Sequence, residues 1–160
     1  MNTVYLITGS NIGDRRKNLQ TAVKFISERI GTIEKSSKMY ETQAWGISHQ
    51  RAFYNQVLVL KTNLSAQKVL ESILKIEEEM GRKRTTKNAA RIIDIDILFF
   101  NDDIVNEQNL VIPHSQIENR RFVLLPLNEV APQMIHPFSK KTMAELLSLT
   151  GDQLKVTVLK

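Results

Sequence analysis

The chain has 160 residues, 42% apolar and 24% charged, with a formal charge of +5 at pH 7 and no cysteine. That length suits one compact domain with a sizeable core, and no stretch approaches the roughly 18 apolar residues of a membrane span. The missing cysteine excludes disulfide and thiolate chemistry and is compatible with a reducing cytoplasm.

In chain order, "TVYLIT" over residues 3–8 reads as a short strand stopping at a Gly-Ser-Asn turn, and not as a secretory leader. Asp14 is a candidate N-cap for a helix over 15–29, with Leu19, Ala22, Val23 and Ile26 at helical spacing and Gly31 as a stop. A second strand is expected over 32–40, a loop through "ETQAWGISHQRA", and a third strand over 53–61. Ser65 then caps a helix carrying Val69, Leu70, Ile73, Leu74, Ile76 and Glu77 up to Gly81. A basic loop leads into the strand of "ARIIDIDILFF". Beyond it, "NEQNLVIPH" reads as one short strand, "FVLLPLNEVAP" and "KTMAELLSL" as helices, and "DQLKVTVLK" as a further strand. The order strand, helix, strand, strand, helix, strand predicts an α/β fold of ferredoxin-like βαββαβ type. Its sheet would have four antiparallel strands with two helices on one face, and short elements would follow at the C-terminus. With no Pro/Gly/Ser-rich linker, residues 1–160 read as a single domain.

Two features break the ordinary pattern. "GRKRTTKNAAR" carries Arg82, Lys83, Arg84, Lys87 and Arg91 with no acid. It suits a solvated face, a nucleic-acid patch or a polyphosphate site. Directly after it, alternation along the strand puts Ile93, Ile95, Ile97 and Phe99 on one face and Asp94 and Asp96 on the other. Carboxylates two apart on a strand lie about 6.5 to 7 Å apart, a span that can hold a divalent cation or bracket two. A solvent-facing, cross-strand-paired role for the two acids stays open on pattern alone. Metal-binding acids beside arginines nevertheless form the equipment for a nucleoside triphosphate, although neither G-x-x-x-x-G-K-[ST] nor G-x-G-x-x-G occurs.

"TGSNIGDRRKNL", "YETQAWG" with "FYNQV", "KNAARIIDIDIL" and "IPHSQIENRRFVLLPLNEVAP" together resemble the 6-hydroxymethyl-7,8-dihydropterin pyrophosphokinase family of folate biosynthesis. The resemblance implies a cytoplasmic, monomeric enzyme with a ferredoxin-like α/β fold. It would transfer the β,γ-pyrophosphoryl group of ATP to the pterin hydroxymethyl group and release AMP, with no nucleic-acid or membrane partner. It further implies that Asp94 and Asp96 hold two Mg²⁺ ions and are catalytic with Arg82 and Arg91. Arg82, Arg84, Arg91, His114 and Arg120 would contact ATP. Thr42, Trp45, Gly46, Phe53, Asn55 and Phe122 would form the pterin site, the two phenylalanines sandwiching the ring.

Glu77 could pair with a loop arginine or lie near adenine, but a solvated "EEE" face is the simpler reading. The chain departs from the family pattern at Gln43-Ala44, where a Pro-Pro pair is common, at Asn88 in place of an indole, and at Ser115 in place of a tyrosine. Two rivals remain: a nucleic-acid-binding ferredoxin-like module, and a regulatory domain that binds nucleotide without turnover. An RNA-reading sheet would expose aromatics where this one has Asp94 and Asp96.

Overall fold

The computed structural model describes residues 1–43, 50–83 and 90–160. Its elements are β1 (Asn2–Ser10), α1 (Arg15–Arg29), β2 (Thr32–Ser36), β3 (Tyr40–Thr42), β4 (Phe53–Thr62), α2 (Ala66–Glu79), β5 (Asp94–Phe100), β6 (Val105–Glu107) and β7 (Leu110–Ile112). A 3-10 turn at Ile117–Asn119 then leads into α3 (Arg121–Val130), α4 (Met143–Leu149) and β8 (Val156–Val158). No helix among the described residues is long and apolar enough to cross a membrane.

The expected four strands become a six-stranded antiparallel sheet in the order β5-β1-β4-β3-β8, with β2 also on β4. The difference has two causes. The single strand expected over 32–40 is broken after Ser36, because the Ser37 hydroxyl accepts the Val57 N–H and the Lys38 N–H turns away to the Glu129 carboxylate. The tail then supplies β8 as a further edge, paired with β3. "NEQNLVIPH" likewise forms a two-stranded hairpin, β6 with β7, instead of one strand.

Helix ends follow the expected chemistry. The Asp14 and Ser65 side chains accept the N–H groups of Lys17 and Lys68, and Thr142 with Glu145 forms a reciprocal capping box. Gly81 stands just past α2 at φ +90°, a conformation that a side chain would strain.

Both sheet faces are covered. Helices α1 and α2 pack Leu19, Ile26, Val69, Ile73 and Ile76 onto Val4, Leu6, Leu58, Leu60, Ile95 and Ile97. On the other face, α3 and α4 pack Val123, Leu124, Leu127, Met143 and Leu146 onto Ile7, Val57, Val59, Leu98 and Phe99. The expectation that Phe99 shares the Ile93, Ile95 and Ile97 face is therefore corrected. A bulge in β5 puts Phe99 opposite Tyr5 and Ile97 opposite Leu6, leaving Leu98 as the extra residue. The strand changes phase there, so Leu98 and Phe99 face α3 while Phe100 returns to the α1/α2 side.

His136, 5% exposed, packs edge-on to Phe99, and its Nδ1 accepts the N–H groups of Phe138 and Ser139. Burial lowers the imidazole below its ordinary value, only partly opposed by Glu118. A folded-state pKa below the unfolded one contributes stability above about pH 6.5 that is lost as pH falls. Urea unfolding at pH 7.5 and 5.5 should therefore show the wild type's stability lead over His136→Gln narrowing at the lower pH.

Candidate active site

The sheet face that carries α3 is left open at one end, where β1 finishes in Thr8-Gly9-Ser10 and β5 begins. Asp94 pairs with Gly9 and Asp96 with Ile7 across the β1–β5 ladder, so both acids point toward this opening, as alternation requires. Asp94 is not left as a bare charge. Asp94 accepts from Arg82 at 2.8 Å through one oxygen and from Arg91 at 2.9 Å through the other. Arg82 also donates to Glu77 at 2.6 Å, and the same Glu77 oxygen accepts the Ile95 N–H at 2.8 Å.

Glu77 is thus 2% exposed and part of the site, which corrects the solvated-face reading. The signal was its place one turn after Ile73 and next to Ile76, on the buried stripe of α2. Asp96 lies deepest. Burial, then the carboxylates of Asp94 and Glu77, push its carboxyl up to about 7 against the pull of Arg82 and Arg91. A buried acid in that condition is a poor lone anion and a good ligand for an incoming cation. No group of three or more His, Cys, Asp or Glu side chains able to hold a metal occurs among the described residues. Two carboxylates such as Asp94 and Asp96 suit Mg²⁺, which takes one or two carboxylates and fills its shell with water and phosphate oxygens.

The turns around the opening are locked to each other. The Arg91 N–H donates to Asn11 Oδ1 at 2.7 Å and the Asn11 N–H to the Arg91 carbonyl at 3.0 Å, while Asn11 Nδ2 reaches Gln50 and the Arg51 carbonyl. Asn11 was not singled out from sequence, although "GSNIGD" marked its turn. On the far rim the His114 N–H donates to the Leu98 carbonyl at 3.0 Å. His114 Nδ1 accepts from the Gln116 N–H at 3.2 Å, which leaves Nε2 as the protonated nitrogen. Burial, and then the neighbouring Arg120, lower this imidazole, with Asp94 pulling the other way. It is accordingly a neutral donor at pH 7.

A cleft opens beside the acids, lined by Thr42, Gln43, Phe53, Asn55, Arg91, Asp94, Arg120 and Phe122. It runs into a second hollow that adds Asp96 and His114. Of the residues singled out from sequence, Thr42, Phe53, Asn55, Arg91, Asp94, Asp96, His114, Arg120 and Phe122 are brought together, with Arg82 behind Asp94. Arg84, Trp45, Gly46 and Asn88 lie outside the described residues. Phe53 and Phe122 are half-buried walls of the cleft, not core. Among the described residues Thr42 Oγ1 and Asn55 Oδ1 are buried without a hydrogen-bond partner, while Asn55 Nδ2 donates to the Thr8 carbonyl. A flat ligand with polar edges and aromatic faces suits these walls.

A profile of the 7,8-dihydro-6-hydroxymethylpterin-pyrophosphokinase (HPPK) family matches residues 5–132. A 2-amino-4-hydroxy-6-hydroxymethyldihydropteridine pyrophosphokinase of Aquifex aeolicus is 43% identical over 145 residues, which are 91% of this chain and 90% of that protein. One of Bacillus subtilis is 38% identical over 134 residues, 83% of this chain and 80% of its own. A folic acid synthesis protein of Dictyostelium discoideum is 40% identical over 136 residues, 85% of this chain but 20% of its own length. Among solved structures, wild-type Plasmodium falciparum HPPK-DHPS with pteroate superposes with a TM-score of 0.76 at 22% identity. The match covers 92% of this chain and 42% of that one, and at this identity it speaks to the fold alone.

Removing Glu77 would leave the Ile95 N–H without its acceptor and take from Arg82 one of its two carboxylate partners, in a buried place. Glu77→Leu should lower the urea-unfolding free energy by about 3 to 5 kcal/mol, whereas Glu77→Gln, which keeps an acceptor oxygen, should lose less than half of that.

Proposed function

The chain belongs to the 7,8-dihydro-6-hydroxymethylpterin-pyrophosphokinase family, and from that premise we infer how its own residues carry the reaction. The activity is that of an ATP-dependent pyrophosphokinase of folate synthesis, which moves pyrophosphate from ATP to the hydroxymethyl group of hydroxymethyldihydropterin. The observation that carries the residue assignment is the single cleft that joins Thr42, Asn55, Phe53 and Phe122 to Asp94, Asp96, Arg91, His114 and Arg120.

The pterin ring lies between Phe53 and Phe122, with its polar edge on the unpartnered Thr42 Oγ1 and Asn55 Oδ1. That leaves the hydroxymethyl group directed toward Asp94. Arg82 and Arg91 clamp the phosphates, His114 donates from neutral Nε2, and Arg120 closes the far rim. Trp45, Gly46 and Arg84 complete the set by family likeness. Asp94 and Asp96 would hold two Mg²⁺ ions, which when bound would neutralise phosphate oxygens and lower the pKa of the attacking hydroxyl. What the protein contributes beyond charge is position, holding the acceptor hydroxyl in line with the β-phosphorus.

We read residues 1–160 as one monomeric, cytoplasmic domain on a ferredoxin-like core, acting on small molecules. A nucleic-acid module is not favoured, since a sheet face of carboxylates repels a phosphate backbone.

Incubation with ATP, Mg²⁺ and reduced 6-hydroxymethyl-7,8-dihydropterin should release AMP; none above background would sink the assignment. Asp96→Ala should cut AMP release by about a hundredfold or more. In the same variant the thermal midpoint at pH 8 without Mg²⁺ should hold or rise, because a carboxyl whose pKa is raised on folding destabilises the protein once ionised. A Cβ on Gly9 would stand 2.6 Å from Asn55 Nδ2, so Gly9→Ala should raise the pterin KM with little change in that for ATP.

A further inference from the structure

Helix α3 opens at Arg121 with no side-chain cap from Arg120, the residue before it. Its first N–H is taken instead from far along the chain: Asp152 Oδ2 accepts it at 2.8 Å, and Asp152 Oδ1 accepts the Leu154 N–H at 3.0 Å. An N-cap normally comes from the residue that starts the helix, so a carboxylate brought across 31 residues ties two segments that need not otherwise meet. Beyond Asp152 the chain enters β8, where Val156 pairs with Thr42 and Val158 with Tyr40, and the Leu159 N–H donates to the Met39 carbonyl. One short segment thus touches both sides of the cleft, the start of α3 with Phe122 and the β3 strand with Thr42. At its other end α3 is tied to the same strand, since Glu129 accepts from the Tyr40 hydroxyl and the Lys38 N–H.

We propose that Asp152 is a positioning residue for the pterin: by capping α3 from the tail while β8 holds β3, it sets the spacing of Phe122 from Thr42 and Asn55. This rests on the reading of Phe122 and Thr42 as pterin contacts. Of the groups assigned to ATP phosphates, Arg82 is secured on Glu77, Arg91 on Asn11 and His114 on Leu98, and Arg120 alone adjoins the capped Arg121. Loss of the cap therefore acts on the pterin wall directly and on the ATP side through Arg120 alone.

The test is steady-state AMP release with each substrate varied, for wild type, Asp152→Ala, Asp152→Asn, Asp152→Ser and Phe122→Ala, with thermal midpoints for all. Asp152→Ala raises the pterin KM by about 3- to 30-fold while the ATP KM stays within about twofold. Asp152→Asn, which keeps one oxygen for the Arg121 N–H, recovers most of the loss. Should the alanine variant not fold, Asp152→Ser carries the same test, with an intermediate rise expected. A lower thermal midpoint and kcat with the ratio of the two KM values unchanged would mean a merely structural role and overturn the proposal. If Phe122→Ala raises the pterin KM and the Asp152 variants do not, the proposal fails alone. If neither does, the pterin-site reading beneath it has failed.

Discussion

Everything at the open end of the sheet depends on one electrostatic constraint: three carboxylates, Glu77, Asp94 and Asp96, share a partly desolvated space with two guanidinium groups, Arg82 and Arg91. Arg82 pairs with Glu77 and Asp94, and Arg91 with Asp94, while burial and the two neighbouring carboxylates raise the carboxyl of Asp96. The fold stores an appetite for cations at the spot where a magnesium-bound triphosphate would bring them. The arginines come from the two ends of the basic loop, so the same pairs that satisfy the acids also fix where that loop leaves α2 and where it enters β5.

Much of this was legible in the sequence because period-two alternation is a strict geometric rule. Asp94 and Asp96 had to share a face once the segment was a strand, and the structure puts both on the side of α3. What alternation could not foresee was the bulge at Leu98, which depends on how β5 registers with β1 and breaks the rule halfway along. Helix ends were equally readable at Asp14 and Ser65, since a cap is a local bond. Glu77 was misread for the opposite reason. In a Glu-Glu-Glu run the middle and last residues are solvated and the first is not; its helical phase put it on the apolar stripe, and its partner Arg82 is supplied by the tertiary fold.

The sheet was underestimated because its outer strands owe little to their own composition. Strand β8, "VTV", is three residues long and half exposed, and it exists because β3 offers an unpaired edge. The break between β2 and β3 is similarly a matter of competition. The Ser37 hydroxyl and Glu129 each capture a backbone N–H that the ladder would otherwise have used. Thr42, Asn55 and Phe122 come from three elements dispersed along the chain, so their convergence is a property of topology. Their residue types alone did not require it.

The bulge at Leu98 gives β5 two independent grammars within seven residues. In its first half, which side a residue faces decides whether it lines the opening beside the cleft; in its second half, the same parity decides which of two helical layers it supports. Substitutions near Phe99 and Phe100 can retune the packing of either layer without rotating the two acids. Loss of the extra residue would couple the halves again, so that chemistry and architecture could no longer vary separately along one strand.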